Sequence, residues 1–295
     1  MKIIEAVKRG EDLLKSAGVE DPRFNADLLL GFACSLSRDQ LYLEREREIP
    51  EECYEEYLAL LERRRRREPL QYILGCREFM GLKFSVDQRV LIPRPETELL
   101  VEKLLEEEGI TRAWRRTGSF TRPVGQPDSS IKRPRVLDLC TGSGAVAISI
   151  AYYWPEAEVV GTDISAAALE VAARNARSLG VQVEWRQGDL LEPVRSERWD
   201  WIVANPPYVT TAEYRECSPE VRQEPPEALL GGLDGLDFYR RLAREAPPLL
   251  CPGGGILLEI GWRQGQMVTD LFAAQGLATV VFADLAGRDR VVLVR

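Results

Sequence analysis

From residue 135 onward the apolar positions fall into short runs, separated by longer stretches at helical spacing. Val136 to Cys140, Val159 to Asp163, Val181 to Gln187, Trp199 to Ala204 and Gly255 to Ile260 read as strands. Gly144 to Tyr153, Ser165 to Ser178, about Leu236 to Ala246 and about Gly265 to Gln275 read as the helices between them. Strands alternating with helices predict a parallel, doubly wound α/β sheet. Ala278 to Ala283 and Arg290 to Val294 add two more strands, and their short connection predicts an antiparallel pair.

The first 75 residues carry a helical pattern only, so a small all-helical N-terminal domain is expected over 1–75. Ile3, Ile4, Val7 and Leu14 recur at helical spacing. Asp21 before Pro22 predicts an N-cap, with Leu28, Leu29, Leu30 and Phe32 supplying the apolar face that follows. Ser37 predicts the cap of a short helix ending near Leu43. Pro50 to Arg67 predicts a longer helix with Tyr54, Tyr57, Leu58 and Leu61 on one stripe. It ends in the run Arg63 to Arg67, read here as a solvated helix end whose cations suit the dipole. Contact with RNA or an acidic partner is the other reading of that run.

The period changes over 76–92, where Phe79, Leu82, Phe84, Val86, Val90 and Ile92 predict a β-hairpin linker. Pro93-Arg94-Pro95-Glu96-Thr97-Glu98 then opens a helix running to about Glu108. A larger domain over 93–295 follows, interrupted at 109–135 by a stretch rich in Arg, Ser, Gly and Pro that reads as a long mobile surface loop.

Composition narrows the chemistry. The formal net charge is −8 over 295 residues, which argues against a broad nucleic-acid-binding face or a stable nucleic-acid partner. There is no histidine, which removes Ser-His and Cys-His pairs, histidine bases and histidine-containing metal sites. The 6 cysteines are scattered without a C-x-x-C pair, so no metal site is expected, and free thiols in a reducing cytoplasm are. The start lacks the pattern of a signal peptide and no apolar run reaches membrane-spanning length, so a cytoplasmic protein without a membrane partner is expected.

The candidate chemistry lies at the strand ends. Asn205-Pro206-Pro207-Tyr208 follows the apolar run ending at Ala204. Two prolines end a strand, and the residue before a proline is held extended. Ligands of open α/β sheets bind at such carboxyl ends. The Asn205 side chain and the Pro206 carbonyl offer two acceptors that suit a planar amino group. On the tetrapeptide alone, a tight turn and a site stand level.

Upstream, Asp138-Leu139-Cys140-Thr141-Gly142-Ser143-Gly144 joins a strand to a helix, where free N–H groups and a close backbone approach suit a ligand. The third glycine of a dinucleotide fingerprint is missing, which argues against NAD. Asp163 ends the next strand and can accept from both hydroxyls of a ribose. Asp189, in Gly188-Asp189-Leu190, can accept from an adenine amino group, and Leu190 can cover the ring. Four such features at successive strand ends make a site the better reading.

This order of motifs resembles the class I S-adenosylmethionine-dependent methyltransferases, and Asn-Pro-Pro-Tyr resembles those that methylate planar amino groups. Pro69-Leu70-Gln71-Tyr72-Ile73-Leu74-Gly75 and Leu91-Ile92-Pro93-Arg94-Pro95-Glu96-Thr97-Glu98 bring the match closer. So do Glu224-Pro225, Gly231 to Leu236 and Asp284 to Arg290. Together these are similar, over nearly the whole chain, to the peptide chain release factor glutamine N5-methyltransferases of the PrmC/HemK family.

The resemblance implies a Rossmann-like methyltransferase sheet behind a helical substrate-docking domain. It implies S-adenosylmethionine as cofactor, S-adenosylhomocysteine as product and no metal. The implied substrate is the glutamine of the Gly-Gly-Gln motif in bacterial class I release factors, methylated on its side-chain nitrogen. Cys140, Thr141, Gly142, Ser143, Gly144, Asp163, Asp189, Leu190 and Asn205 are the implied cofactor residues. Asn205, Pro206 and Tyr208 are the implied catalytic residues, with Pro207 joining them against the substrate. Cys140 stands where glycine is common. A DNA or RNA amino-methyltransferase of the adenine N6 type is the other enzyme reading, and a silent binding module on the same fold is the reading from another class.

Overall fold

The computed structural model describes residues 1–110 and 133–295, so most of the 109–135 segment lies outside the described residues. The chain divides into two compact units. Met1–Cys76 and Cys217–Gln223 form the first, and Arg77–Glu216 with Glu224–Arg295 form the second.

The first unit is helical: α1 (Ile3–Ser16), α2 (Pro22–Cys34), α3 (Arg38–Leu43), α4 (Glu51–Arg65) and α5 (Leu70–Leu74). Its core gathers Ile3, Val7 and Leu14 from α1, Ala26, Leu29 and Leu30 from α2, and Tyr57 and Leu61 from α4. Ser37 caps α3 as its sequence predicts, accepting from the Gln40 N–H while the Gln40 side chain accepts from the Ser37 N–H. Asp21 precedes Pro22 but makes no side-chain cap bond, and its φ of 47° is left-handed. Asn25, one turn on, donates to the Glu20 and Asp21 carbonyls and holds this helix start instead. The short helix α5 escaped the sequence reading, because Pro69 and Gly75 bracket only one turn.

The arginine run is not simply a solvated helix end. Arg64 is buried, its Nε donating to Asn25 Oδ1 at 2.8 Å and its guanidinium pairing with Glu220 at 2.9 Å. Arg67 forks onto the same carboxylate at 2.7 and 2.8 Å. Burial works against the charge on Glu220, yet bonds from Arg67 and Arg64 hold its pKa down at about 2. Arg63, Arg65 and Arg66 do face solvent and pair with Glu68 or Glu62. A five-residue run wraps round its helix, so some of its members must turn inward.

A hairpin of β1 (Cys76–Phe79), which begins on the last residue before the second unit, and β2 (Leu82–Ser85) comes next, then α6 (Glu98–Glu107) behind a single 3₁₀ turn at Pro95–Thr97. A seven-stranded sheet follows in the order β5-β4-β3-β6-β7-β9-β8. The strands are β3 (Arg135–Leu139), β4 (Glu158–Asp163), β5 (Glu184–Gln187), β6 (Trp199–Ala204), β7 (Leu250–Glu259), β8 (Thr279–Ala283) and β9 (Asp289–Val294). The first five in chain order run parallel, and β9 runs antiparallel to both β7 and β8.

Successive residues along a strand face opposite sides of the sheet, and two cores result. Val136, Val203 and Leu257 face one layer, with α6 and α7 (Ala145–Tyr153) and the hairpin residues Phe79, Leu82 and Phe84. Leu137, Ile202 and Ile256 face the other, with α10 (Asp237–Glu245) and α11 (Gly265–Ala273). Helix α8 (Ala166–Leu179) joins β4 to β5, and the short α9 (Thr211–Glu216) follows β6. The strand order reverses between β3 and β6, so the ends of β3, β4, β5 and β6 open onto one crevice.

Candidate functional site

Two adjoining cavities lie at those strand ends, both lined wholly by the second unit. The larger, of about 310 Å³, takes Cys140 and Gly142 after β3, Asp163 after β4, Asp189 and Leu190 after β5, and Asn205 after β6. The smaller, of about 50 Å³, takes Thr141 and Ser143 with Arg94, Thr97 and Asp138. Asn205 and Gly142 line both. Residues from all four strand-end motifs therefore line these cavities, while Gly144, Pro206 and Tyr208 line neither of them.

The β3–α7 turn is made by left-handed residues: Cys140 at φ 57°, Gly142 at 55° and Gly144 at 79°. A Cβ on Gly144 would come within 2.8 Å of Ile148 and 3.0 Å of Ala172 and Trp185, so the helix can approach the sheet only over glycine. Cys140 holds the same backbone conformation without that freedom. Beneath the turn, Asp138 is buried and accepts from the Thr141 hydroxyl at 2.5 Å and the Ala147 N–H at 3.1 Å. Burial pushes its pKa up to about 7, with those two bonds drawing it down and the charge of Asp163 pushing it further up.

Asp163 Oδ2 accepts from the Gly142 N–H and Oδ1 from the Ser165 N–H, both at 2.9 Å. Burial raises its pKa and the backbone bonds oppose the rise. A carboxylate has about four lone-pair sites, so two remain for a ligand. Asp189 is already engaged: both of its oxygens accept from Arg241 at 2.9 Å in a forked pair. Its lone pairs outside the fork are what a ligand would meet. Leu190 is buried with φ 49° and presents its side chain to the cavity.

Asn205 follows β6, and its Nδ2 donates to Thr97 Oγ1 at 3.2 Å. Pro206 and Pro207 are buried. Chain from two later segments holds the loop. The Tyr208 carbonyl accepts from Gln264 at 3.1 Å, and Val209 is bracketed by Leu229 and Gly231. A Cβ on Gly231 would lie 2.6 Å from the Pro207 carbonyl, so only glycine allows this approach. The Tyr208 hydroxyl donates to Glu259 Oε1 at 3.3 Å, and burial pushes its pKa well above the usual phenol value.

The sequence reading missed several side chains here. Glu259 ends β7, buried, with Oε2 lacking a hydrogen-bond partner among the described residues. Burial raises its pKa to about 7, while hydrogen bonding from Thr97 and Tyr208 works the other way. An acid inside the apolar run Ile256 to Ile260 was the signal to follow, because buried strand ends rarely carry one. Arg241 and Phe238 enter the cavity from α10 without a motif. Glu224 is buried, accepting from the Ile92 N–H at 3.0 Å and from Arg94 at 2.5 Å, and so ties the Ile-Pro-Arg-Pro stretch down. Among the described residues no group of His, Cys, Asp and Glu could hold a metal ion, and no helix is long and apolar enough to cross a membrane.

A seven-stranded sheet of this order, with a glycine turn, an acid and Asn-Pro-Pro-Tyr at successive strand ends, defines a Rossmann-like methyltransferase. A methyltransferase from Pyrococcus furiosus shares the fold, at 18% identity and a TM-score of 0.51 over 73% of this chain and 89% of its own. The methyltransferase small domain family matches residues 127–221, and the PrmC N-terminal domain family matches residues 5–75. The release factor glutamine methyltransferase of Moorella thermoacetica is 45% identical over 98% of this chain and 95% of its own. That of Geobacter sulfurreducens is 40% identical over 95% and 91%. The chain belongs to the release factor glutamine methyltransferase family.

Proposed function

We propose that this protein transfers a methyl group from S-adenosylmethionine to the side-chain amide nitrogen of the glutamine in the Gly-Gly-Gln motif of class I peptide chain release factors. The observation that carries the reading is Asn205 at the junction of the two cavities, its amide held from behind by Thr97. The cofactor, when bound, supplies an electrophilic methyl group on a sulfonium. The residues present fit it. Asp163 retains two lone-pair sites for ribose hydroxyls, Leu190 and Phe238 offer apolar cover to a base, and Asp189 stands beside it in the grip of Arg241.

The remaining work falls to the chain. An amide nitrogen is a poor nucleophile, because its lone pair is delocalised into the carbonyl. It must be held in line, with reacting atoms about 3–3.5 Å apart. In this reading the Asn205 Oδ1 and the Pro206 carbonyl accept its two hydrogens and stabilise the positive charge that grows on nitrogen. Tyr208 and Pro207 wall the amide plane and exclude water. The nitrogen-protonated amide so formed is strongly acidic and gives up its extra proton to solvent as the product leaves, so no side-chain base is required.

We further assign the first unit to docking the protein substrate. It exposes Phe24, Phe32, Tyr42 and Leu43, large apolar side chains that a protein partner could cover.

The deciding experiment incubates the purified protein with labelled S-adenosylmethionine and a release factor, or with DNA or RNA, and maps the label by mass spectrometry. A single methyl on the Gly-Gly-Gln glutamine is expected. Label on a nucleobase amino group would overturn the proposal in favour of a nucleic-acid amino-methyltransferase.

A further inference from the structure

The side chains behind Asn205 form a chain of their own. Asn205 Nδ2 donates to Thr97 Oγ1, and Thr97 is buried beside the carboxyl of Glu259. A hydroxyl that accepts through its oxygen still has one hydrogen to place. The Glu259 carboxyl nearby keeps in Oε2 a buried oxygen without a partner among the described residues. Leaving such an acceptor unmet is costly, and a turn of the Thr97 hydroxyl toward it would meet it. The other oxygen, Oε1, already takes the Tyr208 hydroxyl.

This arrangement has a direction. While Glu259 claims the hydrogen of Thr97, Thr97 can only accept from Asn205. The Asn205 amide must then turn its NH₂ toward Thr97 and its Oδ1 toward the cavity. Without Glu259, Thr97 can donate to Oδ1 instead, the amide turns round, and an NH₂ faces the substrate where an acceptor is needed. An Asn can adopt either orientation, and only its hydrogen-bond network selects one.

We propose that Glu259 is a positioning residue that, through Thr97, fixes which end of the Asn205 amide faces the substrate, and through Oε1 fixes Tyr208. The inference rests on the reading that Asn205 Oδ1 receives the glutamine amide. It accounts for the acid at the end of β7, which is not itself among the residues lining either cavity.

The test is a double-mutant cycle with Thr97→Val, which keeps the shape and removes the hydroxyl, and Glu259→Ala. Each should lower kcat about 10- to 100-fold, the usual effect of removing a group that orients another. The cofactor dissociation constant should stay within a few-fold. The double variant should be no slower than the slower single, because both break one chain. Glu259→Gln, which keeps an acceptor oxygen, should recover part of the rate.

A second readout does not need turnover. The Asn205 side-chain ¹⁵N signals, identified by their loss in Asn205→Asp, should shift in both single variants and shift alike. This keeps the inference separable from the functional reading, which the labelling experiment tests by itself. Additive rate losses, an unchanged kcat in either single, or Asn205 signals unmoved by Glu259→Ala would each overturn the proposal. Should Glu259→Ala fail to fold, Glu259→Met, of similar size and without an acceptor oxygen, takes its place in the same cycle with the same expected outcomes.

Discussion

Replacing Asp138 by Asn should make the sheet unit more stable at pH 8 and leave it nearly unchanged at pH 4. Asp138 is 1% exposed and has a folded pKa of about 7, against 3.8 for the free side chain. A carboxyl whose pKa rises on folding binds more protons folded than unfolded. Stability therefore falls as pH rises from about 4 to about 7, and is level on either side of that window. The gap is roughly 3 pH units, and at about 1.36 kcal/mol each the ceiling is about 4 kcal/mol.

The Asn oxygen can still accept from Thr141 and Ala147, but bonds to a neutral amide are weaker and its NH₂ needs a partner. A swing of about 2–3 kcal/mol between variant and parent is the working expectation. The assay is urea unfolding at several pH values, followed by tryptophan fluorescence. Among the described residues, Trp154, Trp185, Trp199, Trp201 and Trp262 all lie in the sheet unit, so their signal reports that unit. Differences between the two proteins cancel titrations they share. A variant-minus-parent difference that stays flat within about 0.5 kcal/mol from pH 4 to 8 would refute the burial argument.

Asn205→Asp should slow single-turnover transfer about 10²–10³-fold at saturating cofactor, because it loses the donor to Thr97 and sets a charge beside a sulfonium. A variant that melts normally and reacts within a few-fold of the parent would make Asn205 a turn residue only. Arg64→Ala should destabilise the helical unit by about 3 kcal/mol, since it strips a buried pair and leaves Glu220 to Arg67 alone. Circular dichroism should show an early loss of helix while tryptophan fluorescence holds its midpoint, and coincident, unshifted transitions would contradict it. Tyr42→Asp with Leu43→Asp should raise KM for the release factor about tenfold or more at unchanged cofactor affinity, and an unchanged KM would remove α3 from the docking surface.

The fold and the site differ in how openly the sequence declares them. Each strand of the sheet is a local apolar run, and the features at its end follow within a few residues. Gly142, Asp163 and Asn205, which line one cavity, could therefore be assigned to a common crevice from their immediate chain neighbours alone. What stayed hidden acts over distance. Glu259 reaches Tyr208 across 51 residues, Arg241 reaches Asp189 across 52, and Arg67 reaches Glu220 across 153. None of these pairs leaves a periodic trace. Arg64 misled for a further reason: a run of like charges reads as solvated unless the opposing carboxylate is known, and that carboxylate belongs to a loop far along the chain. Asp21 shows a milder form of the same limit, since its place before Pro22 was right while its left-handed backbone was not readable from the residue type.

The segment Cys217–Gln223 makes the helical unit a discontinuous one. The chain leaves it after Cys76, returns at Cys217 and leaves again after Gln223, so two folding units share three covalent crossings. No single proteolytic cut or stop codon yields a complete helical unit. A fragment ending near residue 76 would lack Glu220 and would leave the guanidinium of Arg64, otherwise buried, without its carboxylate. During synthesis, the first unit to emerge must therefore wait for chain made some 140 residues later before its last ion pair can close. For the same reason its helices cannot be exchanged between relatives as an N-terminal cassette. A working graft has to carry the loop around Glu220 as well.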